Sequence, residues 1–171
     1  GIVIGNNQFA KDTLLLSMLE DYENEKNKKY VYTSGVKELF YGYTRNMAVR
    51  KSVFEETGLF LERARGSDTI FIRRYIDRYP INTVQYCPGM QVRHLEIDSP
   101  EKYFRKMFVY GRSSSKYRRV VRARPLSCRE RLQIFRRTVR QKGYSPLKSI
   151  CFMFLLATTY SYWVMGSVSE A

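Results

Sequence analysis

At 171 residues the chain has the length of one domain, or of one domain with an appendage, and 44% hydrophobic and 15% aromatic residues argue against wholesale disorder. Three widely spaced cysteines, no CxxC pair and a single histidine, His94, argue against a Cys/His zinc site and against a disulfide framework. The net charge of +14 is concentrated, since 16 of the 30 Lys and Arg residues lie between 102 and 148, where Glu130 is the sole acid.

The opening GIVIG lacks a basic n-region and a cleavage site, so it reads as a buried strand and not as a signal peptide. KDTLLLSMLEDYENEKNKKY begins as an apolar cluster and dissolves into alternating charge, which predicts a helix followed by a solvated excursion. In GYTRNMAVRKSVFEETGLF, Ser52 and Glu55 have capping-box spacing, and Gly58 suits the left-handed position that stops a short helix. In RARGSDTIFIRRYI, Asp68 follows a Gly-Ser pair at the head of an apolar run. There it is placed to accept orphan N–H groups of a first helical turn and to gain from the helix dipole. NTVQYCP predicts a strand ended by Pro88, and MQVRH a further strand. Ser99 and Pro100 then supply the N-cap and first position of another helix.

In CRERLQIFRRTVRQKGYSPLK, Leu132, Phe135 and Val139 recur at helical spacing among arginines, a pattern suited to the membrane interface. From Ser149 to Ser169 no position of 21 is charged, long enough for a transmembrane helix of about 20 residues. Tyr160, Tyr162 and Trp163 are expected toward one interface of that span. Lys and Arg concentrate on the cytoplasmic flank of membrane spans and are drawn to anionic lipids. No nucleic-acid motif accompanies these charges, so a membrane with anionic lipids is the expected partner and nucleic acid is not.

The order YGYTRNMAVRKSVFEETGLFLE, RGSDTIFIRRYI, VQYCPGMQVRH and SPEKYFRKMFVYGRS resembles the second half of a family 2 glycosyltransferase of the GT-A fold, over about residues 36 to 115. The fold class this implies is α/β, the second half of a GT-A-like nucleotide-diphospho-sugar transferase domain followed by amphipathic basic helices and a C-terminal transmembrane helix. The corresponding division is 1–98, 99–148 and 149–169. By the resemblance, Asp68 is the general base that takes the proton of the acceptor hydroxyl, and Ser67 stands where the family usually has a first acid. Asn46 and Thr44 lie near donor sugar and acceptor, Arg112 approaches the donor diphosphate, and His94 joins the ligands of a divalent metal (Mn²⁺ or Mg²⁺). The residues alone equally allow Asn46 to satisfy buried backbone groups, Arg112 to be one more membrane-flank arginine, and His94 to be a strand-end histidine that packs or faces water. Arg50 is expected to support its loop. That metal is held mainly by an Asp-x-Asp, which this sequence lacks, as it lacks a Gly-rich phosphate loop. The expected protein is therefore part of a membrane-associated, inverting enzyme of cell-surface or envelope glycan synthesis, inactive as this chain alone. Its partners are a nucleotide-sugar donor and a glycan or lipid-linked acceptor. Its expected place is a membrane of the bacterial inner-membrane kind, with the catalytic part on the cytoplasmic side. The rival expectation is a non-catalytic, membrane-anchored basic protein that binds lipids or protein partners.

Overall fold

A computed structural model describes residues 1–32, 34–62, 65–118 and 120–169. The described chain is mixed α/β, with a three-stranded sheet and six α-helices. Strand β1 (Ile2–Phe9) lies at the centre, with β2 (Met47–Val49) antiparallel on one side and β3 (Val84–His94) parallel on the other. The centre suits its sequence: Ile2, Ile4 and Phe9 are buried, and so is Asn7, whose polar groups are all the more in need of partners. The Asn24 side chain accepts from the Asn7 N–H at 3.1 Å and donates to its carbonyl at 3.0 Å.

Where two strands were expected between residues 82 and 94 there is one of 11 residues. The register jumps from Gly5 opposite Cys87 to Asn6 opposite Gln91, so residues 88–90 bulge out of the ladder. Pro88 has no N–H to give a ladder, and the bulge removes it from pairing without ending the strand.

Helix α1 (Leu14–Lys26) is capped by Thr13, which accepts the Leu16 N–H. Of the solvated excursion expected after it, Lys28 and Lys29 are exposed, but the backbone stays helical. A π-helical turn, Asn27–Val31, continues the helix, and Glu25 and Asn27 are buried. The charged residues face inward because partners meet them. Glu20 accepts the Phe9 N–H at 2.7 Å, Glu23 the Tyr103 hydroxyl at 3.0 Å, and Glu25 is paired with Arg137.

Helix α2 (Lys51–Thr57) also departs from expectation. Arg50 is its N-cap and makes no side-chain cap bond, so Ser52 lies within the first turn and the Ser52/Glu55 box does not form. The Arg50 N–H is taken by the Gly1 carbonyl at 3.1 Å, which carries the strand pairing up to the residue where the helix starts. Gly58 stops the helix as expected with φ +87°, although its ψ of 176° is extended and not helical.

Helix α3 (Ser67–Arg78) follows, and then α4 (Pro100–Arg118), where the Ser99 hydroxyl takes the Lys102 N–H at 3.3 Å as its sequence implies. Helix α5 (Cys128–Lys142) opens with a capping box between Ser127 and Glu130. Arg124 clamps Glu130 at 2.8 and 2.9 Å and holds its carboxyl down to about 2.

Two apolar clusters form the interior. The first joins Ile2 and Ile4 of the sheet to Phe71, Ile72 and Ile76 of α3. The second joins Leu16, Leu19 and Tyr22 of α1 to Tyr103 of α4, Ile134 of α5, and Phe152 and Leu155 of α6 (Pro146–Val168). Helix α5 therefore does more than present a stripe at 132, 135 and 139. Ile134 and Thr138 are buried, Phe135 and Val139 pack beside them, and Leu132 is exposed. Ion pairs from Arg137 to Glu25 and from Lys142 to Asp21 (2.7 Å) tie the outer edge of α5 to α1.

Helices α4 and α6 approach at backbone distance. A Cβ on Gly111 would lie 1.9 Å from the Trp163 carbonyl oxygen, and one on Gly166 would lie 2.0 Å from that of Phe108. Tyr162 stacks on Phe104 at 5.5 Å beside this contact. With 23 residues, or about 34 Å at the helical rise, α6 is the one helix among the described residues long and apolar enough to cross a membrane. Leu147, Phe154, Met165 and Val168 on it are exposed.

Candidate functional site

A cavity of about 530 Å³ opens between α1, the segment 41–45, the head of α3, the end of β3, and helices α4, α5 and α6. Its best-formed wall is the start of α3. Gly66 is the N-cap, in the left-handed region at φ +83°, where no side chain is available to cap the turn. Ser67 and Asp68 follow as the first two helical residues. The Asp68 carboxylate accepts the Thr69 N–H at 2.8 Å, and the Thr44 N–H also donates toward it. Burial nevertheless lifts its carboxyl above the usual aspartate range, against those donors and the positive field of Arg45. One carboxylate thus serves a first-turn N–H and faces the cavity.

Thr44, Ser67, Asp68 and His94 all line this space, so the fold brings together four of the residues singled out by sequence. Asn46 and Arg112 are not on its wall. Asn46 is buried, and its amide donates to the carbonyls of Asn6 and, at 3.0 Å, Met90, so that it braces the β3 bulge. Arg112 is an exposed residue of α4. Arg50 is exposed as well, and its backbone carries the β1 pairing described above.

Sequence reasoning passed over Arg45, which sits between Thr44 and Asn46 and dominates the electrostatics. Its Nε donates to Asn7 Oδ1 at 3.0 Å, one terminal nitrogen donates to the Tyr110 hydroxyl at 3.3 Å, and the guanidinium lies 5.0 Å from the Tyr43 ring centre. The one signal for it was its position in a loop segment whose two neighbours already carried the resemblance. Basic side chains outnumber acids around the cavity: Lys26, Arg45, Arg65, Lys106, Arg118, Arg124 and Arg131 face Glu23, Asp68 and Glu96. Burial raises the cost of charge on Glu23, but Lys26 at 2.6 Å and the Tyr103 hydroxyl hold its carboxyl below the ordinary range.

His94 is neutral at pH 7. Burial and the charges of Arg45 and Lys106 push it down to about 4. Its Nε2 lies 3.3 Å from the Lys106 ammonium, and its buried Nδ1 has no hydrogen-bond partner. The described residues do not assemble a divalent-metal site around it by themselves. A cation next to the imidazole opposes a second one, and no group of three His, Cys, Asp or Glu capable of holding an ion occurs among the described residues.

No family model matches the chain, and neither a curated protein nor a solved structure matches it.

Proposed function

We propose that this chain is the acceptor-side part of a membrane-associated glycosyltransferase that moves a sugar from a nucleotide-sugar donor to an acceptor hydroxyl with inversion. The observation that carries the reading is the Asp68 carboxylate, fixed by two backbone N–H groups at the head of α3 and exposed to a cavity rich in arginine. A sugar hydroxyl is a poor nucleophile until its proton begins to leave, so the reaction needs a positioned base. Asp68 is held in place from both sides, and its raised pKa makes it a stronger base than a solvated aspartate. Arg45, close enough to bias Asp68 electrostatically, keeps the carboxylate available in its ionised form. Thr44 and Ser67 add small hydroxyl side chains beside it, suited to orienting an acceptor. Loss of turnover on changing Asp68 to Asn in the intact parent protein tests the reading.

Nothing in this chain supplies the Asp-x-Asp that the resemblance assigns to metal and diphosphate. The 171-residue chain by itself is therefore expected to bind no nucleotide sugar in the presence of Mn²⁺ or Mg²⁺. Calorimetry that finds micromolar binding of a UDP-sugar to it overturns the division of labour proposed here.

The membrane assignment rests on α6 and on the basic run before it. Electrostatic attachment alone is screened by salt, whereas a spanning helix is not. The full chain is expected to stay with membranes through both high salt and alkaline carbonate. Release into the carbonate supernatant contradicts a membrane-embedded α6.

A further inference from the structure

Two of the cavity arginines rest on the aromatic rings of α6. The Arg131 guanidinium, from α5, lies 4.5 Å from the Tyr160 ring centre, and that of Arg118, from α4, lies 5.3 Å from the Trp163 ring centre. Tyr160 and Trp163 are themselves parallel, 6.1 Å apart with 10° between their planes. All four residues line the cavity, and three helices meet there to place them. Neither arginine is paired with a carboxylate among the described residues, although Arg124 and Lys106 on the same wall both are. Arg131 uses its Nε on the Leu126 carbonyl at 3.1 Å and also donates toward the Tyr22 hydroxyl, contacts that fix the side chain and still leave part of its five-donor fork for an anion.

A guanidinium stacked on a ring keeps its edge free, and that edge matches the oxygens of a phosphate in bidentate fashion. The ring face also holds the side chain in advance, so less freedom is lost when an anion binds. The rings belong to the one described helix apolar enough for a bilayer, and its neighbouring side chains Met153, Phe154 and Met165 are exposed. With α6 in a bilayer, an anion reaching these arginines from that side would carry a hydrocarbon tail.

We propose that Arg118 and Arg131, seated on Trp163 and Tyr160, form a binding site for the terminal phosphate monoester of a membrane amphiphile at the α6 side of the cavity. The site stands on this geometry alone. It does not require Asp68 to be a base, and the Asp68→Asn protein is expected to keep it intact.

Trp163 is the only tryptophan of the chain, so its emission reports on the site directly. The 171-residue chain in neutral detergent micelles is titrated with dihexanoyl phosphatidic acid, dihexanoyl phosphatidylcholine and inorganic phosphate. Phosphatidic acid is expected to change the Trp163 emission saturably, with phosphatidylcholine and inorganic phosphate each at least about tenfold weaker. The double variant R118Q/R131Q is expected to bind phosphatidic acid about tenfold or more weakly. R136Q/R140Q, which removes the same charge from exposed positions of α5, is expected to bind like the unaltered chain. Equal responses to phosphatidic acid and phosphatidylcholine, whose phosphate is a diester, overturn the assignment to a phosphate monoester. Equally tight binding of inorganic phosphate overturns the amphiphile. Equal losses in the two double variants mean a diffuse charge effect and overturn the site. The three-ligand comparison needs no variant, so a misfolded R118Q/R131Q protein does not spare the proposal.

Discussion

With Asp68 as the proposed general base, replacing it by Asn in the intact parent protein is expected to lower turnover by at least about 100-fold, the lower end of what a general base contributes. The same change is expected to leave the melting temperature unchanged or slightly raised. Asn keeps an oxygen for the Thr69 N–H, so the first turn of α3 loses little. The sign of the small remainder follows from the carboxyl itself. Burial raises its pKa in the folded state, so the fold favours the protonated form. Its contribution to stability is present at low pH and is lost as pH rises through the raised value, which makes the ionised Asp68 a cost at pH 7. Asn carries no such cost. In the unaltered enzyme, turnover should rise with pH as Asp68 ionises, on a limb displaced upward from that of a solvated aspartate, and this limb should vanish in the variant. Ser67→Ala should do much less, because Ser67 brings no charge to the cavity. Near-normal turnover in Asp68→Asn reduces the carboxylate to a helix-end acceptor and removes the basis of the proposed activity.

Gly111→Val is expected to be the most damaging single change outside the site. Its Cβ has no room, since the Trp163 carbonyl oxygen is 1.9 Å from that position and is backbone, so no rotamer change relieves the clash. The two helices must separate, and with them the Phe104–Tyr162 stack and the seat of Trp163. A cost of about 3 kcal/mol, at the upper end for overpacking, corresponds to a melting temperature lower by about 10 °C in a chain of this size. Gly89→Val is the matched control. Nothing lies within 4 Å of a Cβ there and its φ is unexceptional, so its effect should stay within about 0.5 kcal/mol. Equal melting temperatures for the two variants, followed by circular dichroism, would show that α4 and α6 are not in backbone contact.

Features set by a few neighbouring residues were legible in the sequence. Ile2 and Ile4 mark a buried strand, Ser99 and Pro100 a helix start, Gly58 a helix stop, and the uncharged run from Ser149 a long apolar helix. Features set by distant partners were not. The acids of α1 read as solvated because the Tyr103 hydroxyl and Arg137, which meet them, lie about 80 and 112 positions away in the chain. Ser52 and Glu55 have the spacing of a cap, but the strand pairing of Arg50 with Gly1 starts the helix earlier, and nothing local records that. Pro88 suggested a strand end because a bulge needs a partner strand to bulge from. At the site, Asp68 announced itself through its place at a helix head. Asn46 attracted the same attention for a bracing role, while Arg45 beside it, whose importance comes from Asn7 and Tyr110, did not.

The division of the interior into two clusters has a consequence for synthesis on the ribosome. The first cluster draws its members from residues 2 to 84, so they are all available once about half of the chain has emerged. The second spans residues 9 to 155 and stays open until Phe152 and Leu155 appear. Through that interval, several seconds at about 5 to 20 residues per second, Leu16, Leu19 and Tyr22 can meet Tyr103 of α4 and Ile134 of α5 as these emerge, but not the α6 side chains that complete the cluster. Strand β1 belongs to both, with Ile2 and Ile4 in the early cluster and Phe9 in the late one, so the nascent chain holds one end of a strand folded while the other waits. The apolar face left waiting is the one α6 must find, which makes the timing of α6's delivery, to the protein or to a bilayer, a branch point in the life of the chain.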